Sequence, residues 1–301
     1  MFPGRTCGRE DRCRPMKAAA PSGVITLSMS ESASNHPLSF LVVGCQRCGT
    51  TWLDAALRDH PQVFLPVQKQ TYFFDRHLDR GLDWYLGQFN DVQSCHAAVG
   101  EIATGYCLVD VAPKVAEAFP DITVLMVVRH PIDRLYSNYQ VRKLEQGWGT
   151  LEEALEASPD LLARSAYADQ LDVLRAHWPA DRVHVLFQED LDRDDRAYYQ
   201  TGCRLLGGDE SIESTQFGRV TNSAMFPRLR RTAQRLGLRP VLGMLSRSLV
   251  GDVIRRRKKS SGKRGYDAMR PETRARLVEH FRPLNDRLAA ATGRDLSHWN
   301  H

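Results

Sequence analysis

Ser39 to Asp54 read SFLVVGCQRCGTTWLD. Phe40 to Val43 form an apolar run of the kind a buried parallel strand shows. Gly44 ends the run. Gly49, Thr50 and Thr51 follow, and Trp52, Leu53, Ala56 and Leu57 then recur at helical spacing. Strand, glycine-bounded loop and helix, in that order, make a phosphate cradle. Glycines let the backbone curl so that its N–H groups converge on an anion. The helix start adds unpaired N–H groups and the positive end of a dipole.

The loop resembles a P-loop, GxxxxGK[ST], without being one. Gly44 and Gly49 keep the spacing, but Thr50 stands at the lysine position, and the loop's cation is Arg47. The plain alternative is a strand-to-helix turn with incidental glycines. Cys45 and Cys48 form a CxxC, which after a strand can mark a redox pair. Two small residues in a tight loop is the better reading: no second CxxC offers a metal site, and Gly-Thr-Thr already explains the loop.

A second anion signal lies downstream. Ile122 to Val128, ITVLMVV, is the strongest strand signal in the chain. Arg129, His130 and Pro131 follow, and Pro131 suits the first turn of a helix whose apolar face is Ile132, Leu135, Tyr136 and Tyr139. Arg129 therefore stands at the carboxyl end of a strand, where open α/β sheets bind ligands. Arg134 and Ser137 share a helix face. Arg129 and Ser137 could grip a second phosphate, or be a surface arginine and a helix serine facing water.

The rest of the chain keeps the same rhythm. Val63–Leu65 reads as a short strand, Gly81–Phe89 as a short aromatic helix, Val99–Ala103 as a buried strand and Val109–Phe119 as an amphipathic helix. Ala166–Trp178, Val183–Phe187 and Tyr198–Leu206 read as helix, strand and helix, with Glu189-Asp190-Leu191 at the strand end. Pro271 opens a last helix that buries Leu277, Phe281, Leu284 and Leu288, and Gly293 stops it. Alternating strands and helices imply a parallel sheet covered on both faces.

With 301 residues, 42% hydrophobic and 26% charged, the composition is that of a globular protein. A net charge of +5 suits an anionic substrate and does not call for nucleic acid. No segment approaches the roughly 20 apolar residues of a transmembrane helix. No apolar leader follows the N-terminal charges, so a cytoplasmic location with reduced thiols is expected. Residues 1–36, rich in Arg, Ser, Pro and Ala, read as a disordered tail, with the domain at 37–301. The basic stretch after residue 219 includes Lys263 and Arg264 in a flexible, cationic SSGKRG segment, suited to cover an anionic cofactor.

Arg47 to Thr51 followed by Arg129-His-Pro-Ile-Asp-Arg134-Leu-Tyr-Ser137 resembles the sulfotransferases that use 3′-phosphoadenosine-5′-phosphosulfate (PAPS), in particular their bacterial and heparan-sulfate-type branch. [KR]xGTT and RxPxxRxxS are their two motifs, each after a strand. The resemblance runs from about Ser39 to Trp299. It implies a P-loop NTPase-like, three-layer α/β/α fold with a central parallel sheet. It implies that Arg47 and the backbone and hydroxyls from Cys48 and Gly49 through Thr50, Thr51 and Trp52 hold the 5′-phosphosulfate, and that Arg129 and Ser137 hold the 3′-phosphate. Lys263 and Arg264 become candidates for the covering loop, and no metal is required. Arg47 would stabilise charge on the leaving phosphate, a contact whose loss typically costs on the order of 3 kcal/mol in the barrier.

The acceptor side departs from the family. Heparan-type enzymes place a glutamate base three residues before Phe73-Phe74; here Gln70 stands there, and an amide cannot take a proton at neutral pH. Asp75, His77 and Glu101 are the alternatives. Ile102 follows Glu101 where the family pattern has an acceptor-binding cation, which disfavours a highly sulfated polysaccharide. A small-molecule, lipid or simple glycan acceptor with a hydroxyl or amine is expected. A nucleotide-binding protein that has lost catalysis and, further off, a P-loop-type kinase are the competing readings.

Overall fold

The computed structural model describes residues 36–219 and 269–301. The tail expected before residue 37, save His36, lies outside the described residues, as do Lys263 and Arg264. His36 sets its ring edge-on against Phe119, with centroids 4.6 Å apart.

In chain order the strands are β1 (Phe40–Val42), β2 (Val63–Phe64), β3 (Ala98–Ile102), β4 (Thr123–Val128) and β5 (Val183–Phe187). The helices are α1 (Thr50–Arg58), α2 (Phe73–Arg76), α3 (Leu82–Leu86), α4 (Ala112–Ala118), α5 (Pro131–Gln146), α6 (Leu151–Ala157), α7 (Asp160–Ala163), α8 (Tyr167–His177), α9 (Gln188–Arg193), α10 (Asp195–Leu206) and α11 (Pro271–Thr292). The strands form one five-stranded sheet in the order β2-β3-β1-β4-β5, and every pairing is parallel. After β1 the chain lays β2 and β3 on one side and then crosses to lay β4 and β5 on the other. The loop leaving β1 thus sits where the order reverses, the place open α/β sheets bind ligands.

Uninterrupted burial explains why the strands read as apolar runs: β1 and β3 are buried at every position, and β4 at all but its first. Helices flank the sheet in two groups, α1 with α10, and α4 with α8 and α11. Their ends follow local chemistry. Pro131 and Pro271 stand in the first turns of α5 and α11, and Gly147 (φ 73°) and Gly293 (φ 68°) end them in the left-handed conformation glycine adopts freely. Thr150 and Glu153 make a reciprocal capping box on α6.

Two sequence expectations shift. The helix read from Tyr198 begins at Asp195, because the Asp194 carboxylate accepts from Ala197 N–H at 3.0 Å and caps it. The helix read from Val109 begins at Ala112. The strand read as Val183–Phe187 keeps those bounds, and Glu189-Asp190-Leu191, placed at its end without an element of their own, lie in α9.

Candidate functional site

The loop between β1 and α1 is fixed from both sides. Val43 N–H donates to Leu125 O at 3.0 Å, Cys45 N–H to Val127 O at 2.6 Å, and Cys107 N–H to Val43 O at 3.0 Å. The loop then turns tightly, with Cys48 N–H donating to Cys45 O at 3.2 Å. Arg47 takes φ 76°, a left-handed backbone that a non-glycine residue rarely holds. Gly49 follows at φ 90°, and a Cβ there would stand 3.1 Å from Leu191 Cδ2. Such strain persists where the surroundings over-determine it, commonly at a ligand clamp.

The cations gather on this loop. Arg47 Nε donates to Ser137 Oγ at 3.0 Å. Arg129 Nη1 reaches Arg47 O at 3.4 Å, and its Nη2 pairs with Asp133 at 3.5 Å. Arg129 is 7% exposed and Ser137 6%, so neither is the solvent-facing residue of the plain alternative. The two motifs, more than 80 residues apart, meet through Arg47 and Ser137.

A residue the sequence reading had not assigned to the cradle joins them. Lys69, on the loop between β2 and α2, sets Nζ 3.2 Å from both Thr50 Oγ1 and Thr51 Oγ1. It supplies from a distant loop the ammonium that a P-loop carries at the position of Thr50. Burial pushes its pKa down to about 8, with Arg58 and Arg47 pushing the same way against Asp54. One signal pointed to it, the lack of a lysine within the loop itself; nothing local paired it with residues 50 and 51.

Cys48 and Trp52 turn their side chains inward. Cys48 is fully buried, and Trp52 packs edge-on against Tyr198. Trp52 N–H is already committed to Gly49 O at 2.9 Å.

On the acceptor side the candidates separate. Gln70 Oε1 accepts from Thr104 Oγ1 at 3.1 Å. Glu101 is wholly buried; Thr71 donates to it through N–H and Oγ1, and Tyr85 through its hydroxyl at 3.0 Å. Burial raises Glu101 to about 7 against those hydrogen bonds. It ties the chain before α2 to β3. Asp75 differs: it is half-buried, burial raises its pKa, and its Oδ1 has no hydrogen-bond partner. His77 sets its ring edge-on to Trp84, with centroids 6.3 Å apart. Glu189 and Asp190 are engaged elsewhere, by Trp299 Nε1 and by a bidentate Arg294 at 2.7 and 2.8 Å. Among the described residues, no group of three or more His, Cys, Asp and Glu could hold a metal ion. No helix among them is long and apolar enough to cross a membrane.

The human heparan sulfate glucosamine 3-O-sulfotransferase 6 is 29% identical over 262 residues, covering 85% of this chain and 72% of its own. The membrane-associated sulfotransferase kil1 of Dictyostelium discoideum is 28% identical over 104 residues, covering 34% of this chain and 22% of its own. The crystal structure of a sulfotransferase from Alicyclobacillus acidocaldarius superposes with a TM-score of 0.64 over 88% of this chain and 99% of that one, at 22% identity, and so shares the P-loop-like fold. The sulfotransferase domain family matches residues 37–282, spanning the cradle, the acceptor-side segment and most of α11, and the chain belongs to that family.

Proposed function

We propose that the protein is a PAPS-dependent sulfotransferase that moves the sulfuryl group in line onto a hydroxyl or amine of a small-molecule, lipid or glycan acceptor. The observation that carries this reading is the convergence of Arg47, Arg129 and Lys69 on one strained loop, among hydroxyls from Thr50, Thr51 and Ser137.

The residues present fit an anionic nucleotide. Lys69 hydrogen-bonds hydroxyls; burial, with Arg58 and Arg47, lowers its pKa to about 8, and an anion bound beside it would raise it again. When bound, PAPS supplies the sulfuryl group and a phosphate leaving group. Arg47 and Lys69 hold positive charge at the loop that would grip the phosphosulfate, and charge fixed before reaction costs no reorganisation during it. Arg129 and Ser137 would hold the nucleotide's 3′-phosphate. Lys263 and Arg264 remain candidates for a covering segment.

Asp75 is the proposed general base. Gln70 carries no proton-accepting carboxylate, and Glu101 is spent on Thr71 and Tyr85. Asp75 keeps one carboxylate oxygen without a partner, and its raised pKa moves it toward the range a base needs. His77 is the second candidate. The human relative's name gives a glucosamine 3-O position as its acceptor; Ile102, where the family pattern has a cation, favours a less sulfated acceptor here.

Calorimetric titration with 3′-phosphoadenosine-5′-phosphate tests the donor. Wild type is expected to bind tightly, and Arg129→Ala at least roughly tenfold more weakly. A folded wild type that ignores the nucleotide, or binds ATP–Mg²⁺ instead, overturns the reading. Asp75→Asn is expected to keep nucleotide affinity and lose on the order of 10²-fold or more in kcat; unchanged turnover would move the base to His77.

A further inference from the structure

The segment that carries both Lys69 and Asp75 turns sharply between them. Tyr72, the residue before α2, takes φ 57°, and its side chain makes no capping hydrogen bond to the helix. A tyrosine in the left-handed region stays there only when its surroundings over-determine it. The Tyr106 hydroxyl, from the loop after β3, does much of this. It accepts from Phe73 N–H at 3.0 Å and from Phe74 N–H at 3.4 Å, and its ring packs edge-on against Phe74 with centroids 5.3 Å apart.

The protons of this network run one way. With two amides donating to it, the Tyr106 hydroxyl turns its own proton to Thr71 Oγ1, 3.1 Å away. Thr71 Oγ1 donates in turn to Glu101 Oε2 at 3.2 Å, and Thr71 N–H donates to Oε1. Tyr85 donates to Oε2 from the other side at 3.0 Å. Ionised Glu101 has only acceptors, so the chain of donors ends there. Thr71, Tyr85, Glu101 and Tyr106 are each at most 1% exposed, and water does not compete for their bonds.

The same loop is fastened to the donor side. Ala103 N–H donates to Val42 O at 2.9 Å and Cys107 N–H to Val43 O at 3.0 Å, so Tyr106 stands between two residues or fewer of the strand that starts the cradle. Its neighbour Gly105 lies close against the proposed base: a Cβ there would stand 2.8 Å from Asp75 Oδ2. Backbone of the cradle, Tyr106, the first turn of α2 and Asp75 therefore form one continuous support.

We propose that Tyr106 is a positioning residue for the transfer: its hydroxyl, anchored through Thr71 on Glu101, holds the left-handed turn at Tyr72 and so fixes Asp75 relative to the cradle. Without the hydroxyl, Phe73 N–H and Phe74 N–H lose their acceptor, and the helix that bears Asp75 loses its tie to β3. Displacing a reacting group by about 1 Å can cost on the order of 10²-fold in rate. The effect on turnover rests on the reading of Asp75 as the base; the hold on the turn does not.

Tyr106→Phe keeps the ring and removes only the hydroxyl. In the full chain, residue-resolved amide exchange is expected to quicken at Phe73 and Phe74 by at least roughly tenfold, with β4 unchanged. Turnover is followed with water as the acceptor, as sulfate released from PAPS. It is expected to fall at least roughly tenfold, while affinity for 3′-phosphoadenosine-5′-phosphate stays within about twofold of wild type. Placed on Asp75→Asn, the same change is expected to cost less than about twofold more, because the hydroxyl acts through a carboxylate already gone. Unchanged exchange at Phe73 and Phe74, or full turnover in Tyr106→Phe, overturns the proposal. An equal loss with and without Asp75 overturns it too, since the hydroxyl would then serve the fold at large. If Tyr106→Phe does not fold, Thr71→Val, which removes the hydroxyl between Tyr106 and Glu101, is read by the same measurements. Asp75→Asn that turns over like wild type overturns the reading of Asp75 as the base alone, and amide exchange still decides the hold on the turn.

Discussion

Lys69 carries a charge in a place that discourages it. Burial and two neighbouring arginines press its pKa down to about 8, and its ammonium rests on the Thr50 and Thr51 hydroxyls. In the free protein that ammonium discharges as pH rises through about 8, so an anion is held less well above that point. Nucleotide affinity is expected to fall from about pH 7 to about pH 9 in wild type. Lys69→Met should bind at least roughly tenfold more weakly at pH 7 and show a flatter profile; a wild-type profile as flat as the variant's would remove Lys69 from the cradle. Linkage runs the other way for folding. The unfolded lysine, at 10.5, binds more protons than the native one between about 8 and 10.5, so this group alone makes stability rise with pH across that window. Residues were legible in the sequence where the chemistry was local. Gly49-Thr50-Thr51 and the Arg129–Ser137 spacing each lie within a few residues, so pattern sufficed. Lys69 was not legible, because its partners lie 18 and 19 residues back, across a helix and a strand.

At the scale of elements, β3 decides how close the sheet can pack. Gly100 stands opposite Phe40 of β1, and a Cβ added there would lie 2.3 Å from Phe40 O and 2.6 Å from its ring. Backbone cannot yield as a flexible side-chain end can, so Gly100→Ala is expected to cost about 3 kcal/mol or more, the upper part of the overpacking range, or to prevent folding. Urea unfolding measures it, and a loss under about 1 kcal/mol would mean that β1 and β3 can part without penalty. The neighbouring Glu101 predicts a pH signature. Its native pKa of about 7 stands above the ordinary 4.5, so its contribution to stability is full below about 4.5 and is lost as pH rises through about 7. Glu101→Gln is expected to flatten the stability profile over that window; a profile that keeps its slope would show that Glu101 does not titrate there. Strand identity was readable because β1, β3 and β4 are buried almost throughout. Strand order was not, since β2, β3 and β1 lie side by side for reasons no single segment states. α9 was not assigned, because Gln188 to Arg193 follow a strand directly, with no turn residue between.

Across the whole molecule, the C-terminal residues close the structure over the strand ends that bear the site. α11 packs on α8, with Arg287 pairing with Asp169 and Asp172 and Arg175 reaching Ala291 O at 2.9 Å. Beyond Gly293 the chain folds back. Trp299 is completely buried, its ring 6.0 Å from both His130 and Phe187 and 6.2 Å from Tyr167, and its Nε1 donates to Glu189 of α9. His130 follows Arg129 directly, so this indole packs beside the exit of β4 that places the arginine of the cradle. Two substitutions separate packing from charge. Trp299→Ala removes a fully buried indole and leaves Glu189 without its donor, which is expected to cost about 3–5 kcal/mol. Arg294→Ala breaks a bidentate pair whose side chains are 31% and 22% exposed, and solvent screening holds that loss to about 1 kcal/mol. Both are read by urea unfolding, with nucleotide titration of the folded protein beside it. Trp299→Ala should also weaken nucleotide binding through the loosened β4 exit, whereas Arg294→Ala should leave binding close to wild type. Equal destabilisation by the two variants would show that the closing segment is held by its ion pair and not by its buried ring. A Trp299→Ala protein of lowered stability but unchanged affinity would confine the segment's role to holding the fold.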